Sequence, residues 1–173
     1  PDFVILIGTP EKLRINFRDF MARTQIPSIQ AGLRHDDLDG WSLLDSFIMG
    51  EEAARSYVGE GLVHTDNHPH LEFFGGRELA NTTHKNVSTM MPYWEKVSSS
   101  LVNYGHTLEE KKQVRQTLGV YFSATQDLIR GHIAYAQGEL TKAAELMNQA
   151  VMQNPRDMTL RYNLGVAIGL VRE

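Results

Sequence analysis

The sequence predicts a mainly α-helical chain, with a few short strands near its start and a helical hairpin array in its back half. Three observations carry this. From Thr107 onward, apolar residues follow helical spacing behind a capping box, Thr107-Leu108-Glu109-Glu110. Gly131 and Gly165 stand 34 residues apart, a period at which helix–turn–helix units recur. Ahead of Gly105, short apolar segments are cut at close intervals by glycine, proline and aspartate.

The front opens on "FVILIG", Phe3 to Gly8. A short continuous apolar run rich in β-branched residues reads as a strand covered on both faces. A chain that begins directly on such a strand is expected to be a piece of a longer protein. Thr9-Pro10-Glu11 offers a cap, a proline at the first helical position and an acid in the first turn. A helix is expected from there, with Leu13, Phe17, Phe20 and Met21 on one face, stopping before Pro27. "PSIQAGLRH", "GWSLLDSFIMG" and "EEAARSYVGEG" each read as one to three helical turns. Gly75-Gly76 closes a second short strand, and a further helix is expected from about Thr83 to Tyr104, kinked or split at Pro92.

In the back half, Val114, Leu118, Tyr121, Phe122, Thr125, Ile129, His132, Ile133 and Ala136 form one long helical stripe, and Gly138 ends that helix. Leu140, Ala143, Ala144, Met147, Ala150 and Val151 form the next stripe, which stops before Pro155. Asp157 or Thr159 caps a third helix toward Glu173. The chain therefore divides near Gly105, with residues 1–105 mixed and mostly helical and residues 106–173 all helix.

Bulk composition narrows the function classes. The 173 residues are 42% hydrophobic and 22% charged, with a net charge of -4. That is an ordinary globular balance for one domain or two small ones, and it offers no basic footprint for nucleic acid. No apolar run reaches membrane-spanning length, so no membrane contact is expected from these residues. Cysteine is absent, which removes thiolate metal sites and cysteine nucleophiles and fits a reducing, cytoplasmic setting. No G-x-S-x-G is present, and "LIGTPEKL" has one glycine and is no cofactor loop.

The stretch "LVHTDNHPHLEF", Leu62 to Phe73, holds the densest group of chemical side chains. His64, Asp66, His68 and His70 alternate and would share a face of an extended chain, a ligand set suited to zinc or iron. Asp66-Asn67 is a turn pair, however, and Pro69 removes a ladder donor, so the chain is not expected to stay extended. A second reading has Asp66 and Glu72 face a polyamine cation. The preferred reading is a turn followed by a short strand: Thr65 and Asp66 bond nearby amides, Leu71 and Phe73 point inward, and His70 and Glu72 point out. His35, His84 and His106 read as scattered surface residues.

Two family resemblances follow from these residues. The segment Ala124 to Asp157 resembles one tetratricopeptide repeat, and Leu164-Gly165 resembles the same point in the first helix of a second. In that frame Gly131 is the small residue that lets the partner helix approach, Gly138 lies in the turn, and Ala143, Met147 and Ala150 pack the second helix. Pro155 closes the unit. Arg130 and Ala134 depart from the family's aliphatic and aromatic preferences, and Tyr135 stands one place after the expected aromatic. The resemblance implies protein–protein recognition, with Thr125, Leu128, His132 and Tyr135 on the concave face. A single repeat does not bury its own apolar face. Either the long helix from Thr107 caps the array, or the third helix ends exposed and pairs with another chain, such as a second copy; the array is expected to continue beyond Glu173.

The pattern Thr65, Asp66, Pro69, Leu71, Glu72 and Phe73, with "FVILIG" upstream, resembles the C-terminal end of bacterial spermidine-synthase-like proteins of the aminopropyltransferase group. Asn67 replaces the family's usual second acid. The resemblance covers about the first hundred residues. It implies that the cofactor turn and the amine-gripping acids lie upstream of Pro1, that the parent is in some cases membrane-attached, and that this piece holds no cofactor and is inactive alone. Thr65, Asp66, Pro69 and Glu72 would then be structural or substrate-side support. The expected function is a non-catalytic scaffold that binds a protein partner or the rest of its own chain. The competing expectation is a small metal-dependent enzyme built on the His64–Glu72 cluster.

Overall fold

A computed structural model describes residues 10–60 and 79–171. The chain is mainly helical, as its periodicity predicts. In order come β1 (Ile15–Asn16), α1 (Phe17–Thr24), α2 (Pro27–His35), α3 (Gly40–Asp45), α4 (Glu51–Val58), α5 (Leu79–Met90), two 3₁₀ turns (Met91–Tyr93 and Val97–Ser99), β2 (Leu101–Val102), α6 (Leu108–Ala136), α7 (Leu140–Gln153) and α8 (Met158–Val171). "FVILIG" and the segment from Gly61 to Glu78 lie outside the described residues, and with them the strand expected before Gly75.

The first helix starts later than Thr9-Pro10-Glu11 suggests. Residues 10–14 are not helical, and Asn16 caps α1 by accepting from the Asp19 amide. The cause is long-range. Ile15 and Asn16 pair in parallel with Leu101 and Val102, and the Ile15 amide donates to the Ser100 carbonyl at 2.8 Å. A residue committed to a strand ladder is unavailable to a helix, so Leu13 and Phe17 do not share a helical face.

The helix expected over Thr83–Tyr104 is broken as well. It runs only to Met90, then tightens into a 3₁₀ turn holding Pro92, which has no amide to continue the ladder. Beyond Pro92 the chain is drawn elsewhere. The Glu95 amide donates to the Ile48 carbonyl at 2.8 Å, and the Glu95 carboxylate accepts from the Gly50 amide at 3.0 Å. Ser98 and Ser99 sit in the second 3₁₀ turn and Ser100 is buried.

Local signals in the back half hold. At the start of α6 the Thr107 hydroxyl accepts from the Glu110 amide at 3.1 Å, and the Glu110 carboxylate accepts from the Thr107 amide at 3.2 Å. The backbone amides of His106 and Thr107, which both donate to it, hold the Glu110 carboxyl below its usual range. At the other end Gly138 adopts a φ of 79°. Its amide donates to Tyr135 and that of Glu139 to Ala134, a Schellman closure that favours glycine.

Two apolar cores line α6. Leu118 meets Leu44, Val97 and Leu101, with Phe17, Phe20, Trp41 and Phe47 around them. Ala124 meets Ala150 and Leu160, flanked by Leu128 and Val151. Between α6 and α7 the approach is closer still. A methyl group built on Gly131 would lie 2.8 Å from Met147 Cγ and 3.2 Å from the Ala143 carbonyl. Only a residue without Cβ fits that crossing.

Candidate functional site

The cleft with the most chemistry lies where three segments meet: the loop and first turn of α3, the middle of α6, and the α7–α8 turn. Its volume is about 550 Å³, and Asp37, Asp39, Trp41, Tyr121, Asn154 and Asp157 are among its walls. Each is placed by a local rule. Asp39 caps α3: one carboxylate oxygen accepts from the Ser42 amide at 2.7 Å and from the Ser42 hydroxyl at 2.9 Å. Asp157 caps α8, and its Oδ1 accepts from the Thr159 and Leu160 amides at 2.9 and 3.3 Å. Asn154 ends α7, where its amide donates to the Ala150 carbonyl at 3.0 Å.

Long-range contacts then join the pieces. The Tyr121 hydroxyl donates to the second oxygen of Asp39 at 3.0 Å. The Thr125 hydroxyl donates to Asp45 at 2.6 Å. The Trp41 ring lies near-parallel to Tyr121 at 6.4 Å and packs against Phe17 at 5.4 Å. These contacts fasten α3 to α6.

The acids feel one another. Burial pushes the Asp45 carboxyl up to about 6; the Thr125 hydrogen bond opposes that and the charge of Asp157 adds to it. Burial also pushes the Tyr121 phenol up to about 12, followed by the Asp39 charge. The Asn154 amide lies near enough to the Tyr121 oxygen to favour its ionised form. The two do not reach hydrogen-bond geometry, and Asn154 Nδ2 has no partner among the described residues. The side chain is nonetheless almost fully enclosed, with the residue 6% exposed.

A carboxyl near pKa 6 beside a hydroxyl has the components of an acid–base pair. Here Asp45 and Thr125 face each other across a helix contact, and their geometry is that of a tether. A second recess of about 380 Å³ lies on the opposite side of α6 and is cationic, with Lys96, Phe122 and Arg130 among its walls. The Lys96 ammonium stands 5.5 Å above the Phe122 ring. Arg130 is paired with Asp127 at 3.0 Å.

The residues expected to recognise a partner are distributed differently from one another. Thr125 spends its hydroxyl on Asp45, Leu128 packs against the second core, His132 is half-buried, and Tyr135 is exposed. Helical spacing places all four along one side of α6. His64, Thr65, Asp66, His68, Pro69, His70 and Glu72 lie outside the described residues. Among the described residues no group of three or more histidines or acids is arranged to hold a metal ion, and no helix is long and apolar enough to cross a membrane. His35 and His106 are exposed.

Sequence reasoning did not single out Asp39, Asp45 or Asn154. Asp39 carried a usable signal, an acid directly before the helical "GWSLLD". Asn154 and Asp45 carried none, because their surroundings come from distant segments. No family model, characterised protein or solved structure matches this chain.

Proposed function

We propose that this chain is a protein-interaction module, a helical hairpin array of tetratricopeptide type whose open end accepts a further helix. One observation carries the reading. At Gly131 the missing Cβ leaves room for Met147 of the following helix, whereas at Gly165, one period later, nothing lies within 4 Å. Tyr162, Gly165, Val166 and Gly169 recur at helical spacing and are all exposed, Tyr162 at 74%. An apolar face with a glycine in it is what α6 offers α7 at Gly131, and this one has no cover among the described residues. The occupant is a helix of the α7 kind, supplied by the continuing chain, a second copy or a partner protein.

The front half is then the body that carries the module. The Thr65–Phe73 pattern supports assigning it to the closing part of a spermidine-synthase-like domain, non-catalytic by itself. The reading is tested by appending a second copy of residues 138–155 after Glu173. The thermal midpoint should rise, and the Gly165 and Gly169 amides should become protected from hydrogen exchange. Gly165→Met in the same protein should cancel both gains. An unchanged midpoint with freely exchanging glycine amides sinks the reading.

A further inference from the structure

The cationic recess on α6 runs against the charge of the chain around it. Acids outnumber lysines and arginines 21 to 17 in the sequence, yet the walls of this recess carry Lys96 and Arg130 and no carboxylate. Gly119, Ser123, Gln126 and Arg130 follow helical spacing along one side, and the chain from Met91 to Lys96 forms the other. Lys96 is laid back over the helix. Its ammonium stands 5.5 Å above the Phe122 ring, and a methyl group built on Gly119 would lie 3.9 Å from it. A cation–π contact positions that charge without neutralising it. No carboxylate pairs with Lys96 among the described residues.

The other end of the recess is fixed as well. Arg130 gives Nη1 to Asp127 and keeps its remaining nitrogens, while Asp127 gives its second oxygen to Gln153 at 2.6 Å. Between the two cations, the Ser123 hydroxyl and the Gln126 amide make no hydrogen bond among the described residues. The order of these groups selects the ligand. Phe122, under the Lys96 ammonium, and Arg130 are about 12 Å apart along the helix. Every polar side chain on that line is able to donate. A compact anion reaches one end only. An extended peptide covers the distance in about four residues, with side chains at i and i+4 on one face.

We propose that this recess binds an extended acidic peptide segment, with carboxylates four residues apart against Lys96 and Arg130 and backbone carbonyls accepting from Ser123 and Gln126. The charged pairs give the attraction and their separation gives the register. Trp94 and Phe122 supply apolar wall for the side chain between the two acids. A nucleic-acid strand carries a charge at every step, and two cations do not track it. The recess lies opposite Thr125 and His132 on α6 and includes no residue of α8. It neither uses the expected concave face nor rests on the open end of the array being covered.

The test titrates the whole chain at pH 7 and follows the Trp94 indole and the Gly119 and Ser123 amides by NMR. The probe is acetyl-Glu-Val-Leu-Val-Glu-amide, set against its glutamine counterpart, glutarate and a short oligothymidylate. The glutamate peptide should saturate with a Kd on the order of 1 mM or below, and bind about tenfold more tightly than any of the other three. Lys96→Gln and Arg130→Gln, both at exposed positions, should each weaken it about three- to fivefold. Lys142→Gln, on α7 and outside the recess, should leave it unchanged. Equal binding of the glutamine peptide or glutarate overturns the proposal, as does tighter binding of the oligonucleotide. So do shifts that miss all three reporters, affinity indifferent to both recess substitutions, or an equal loss in Lys142→Gln.

Discussion

The two halves of α6 solve the same packing problem in opposite ways. Its first half meets the front of the molecule through large side chains: Leu118 is enclosed by Leu44, Val97 and Leu101, with Val114 beside them. Its second half meets α7 through small ones: Ala124, Gly131 and Ala134 are buried against a neighbour that presents Ala143, Met147 and Ala150. Large residues stabilise through the apolar area they remove from water. Small residues stabilise by letting two backbones approach, and they leave no room for error. One helix thus carries a contact tolerant of shape and a contact that is not.

Leu118→Ala should produce the largest loss, about 3–4 kcal/mol in denaturant unfolding, from lost transfer energy plus a cavity among aromatic neighbours. A loss below 1 kcal/mol would show that the front is not held by this side chain. Gly131→Val comes next, at about 1–3 kcal/mol, because the new atoms meet Met147 Cγ and the Ala143 carbonyl. If thermal melts instead showed stabilisation, the usual gain on removing a helix glycine, the close crossing would be refuted.

At the boundary between the two contacts sits Asp45, tied to Thr125. Its folded pKa, about 6, lies above the ordinary carboxylate value. The fold therefore favours its protonated form. The stability it contributes is present below about pH 4 and lost as pH rises toward 6, on the order of 2–3 kcal/mol. Asp45→Asn keeps an acceptor for the Thr125 hydroxyl and removes the charge. It should raise stability at pH 7 by roughly 1–2 kcal/mol and flatten the difference curve between pH 4 and 6. Parallel curves for the two proteins would mean that Asp45 is not buried as charge in the fold.

How much of this was legible depends on sequence separation. α2 occupies the predicted "PSIQAGLRH" in full, because Pro27 opens it and local turns close it. The Thr107 box, the Gly138 turn and the Asp157 cap likewise act within a few residues. The start of α1 was misread because Ile15 answers to Leu101 rather than to its own neighbours. The cleft was invisible for the same reason: Asp39 meets Tyr121 across 82 residues and Asp45 meets Thr125 across 80. No period or cap signal encodes such a pairing.

What the sequence determined by itself is the helical array from Thr107 to Val171, since a helix closes its hydrogen bonds four residues away and announces its ends with caps. What only the tertiary structure decided is the use of side chains within that array. Thr125 reads as a concave-face position until α3 arrives to take its hydroxyl, and Asn154, which carries no signal in the chain, is enclosed only because distant segments close over it. The glycines join the two levels. Their 34-residue spacing is written in the chain. That one meets Met147 while the other faces open space is a matter of which helix has come to lie beside it.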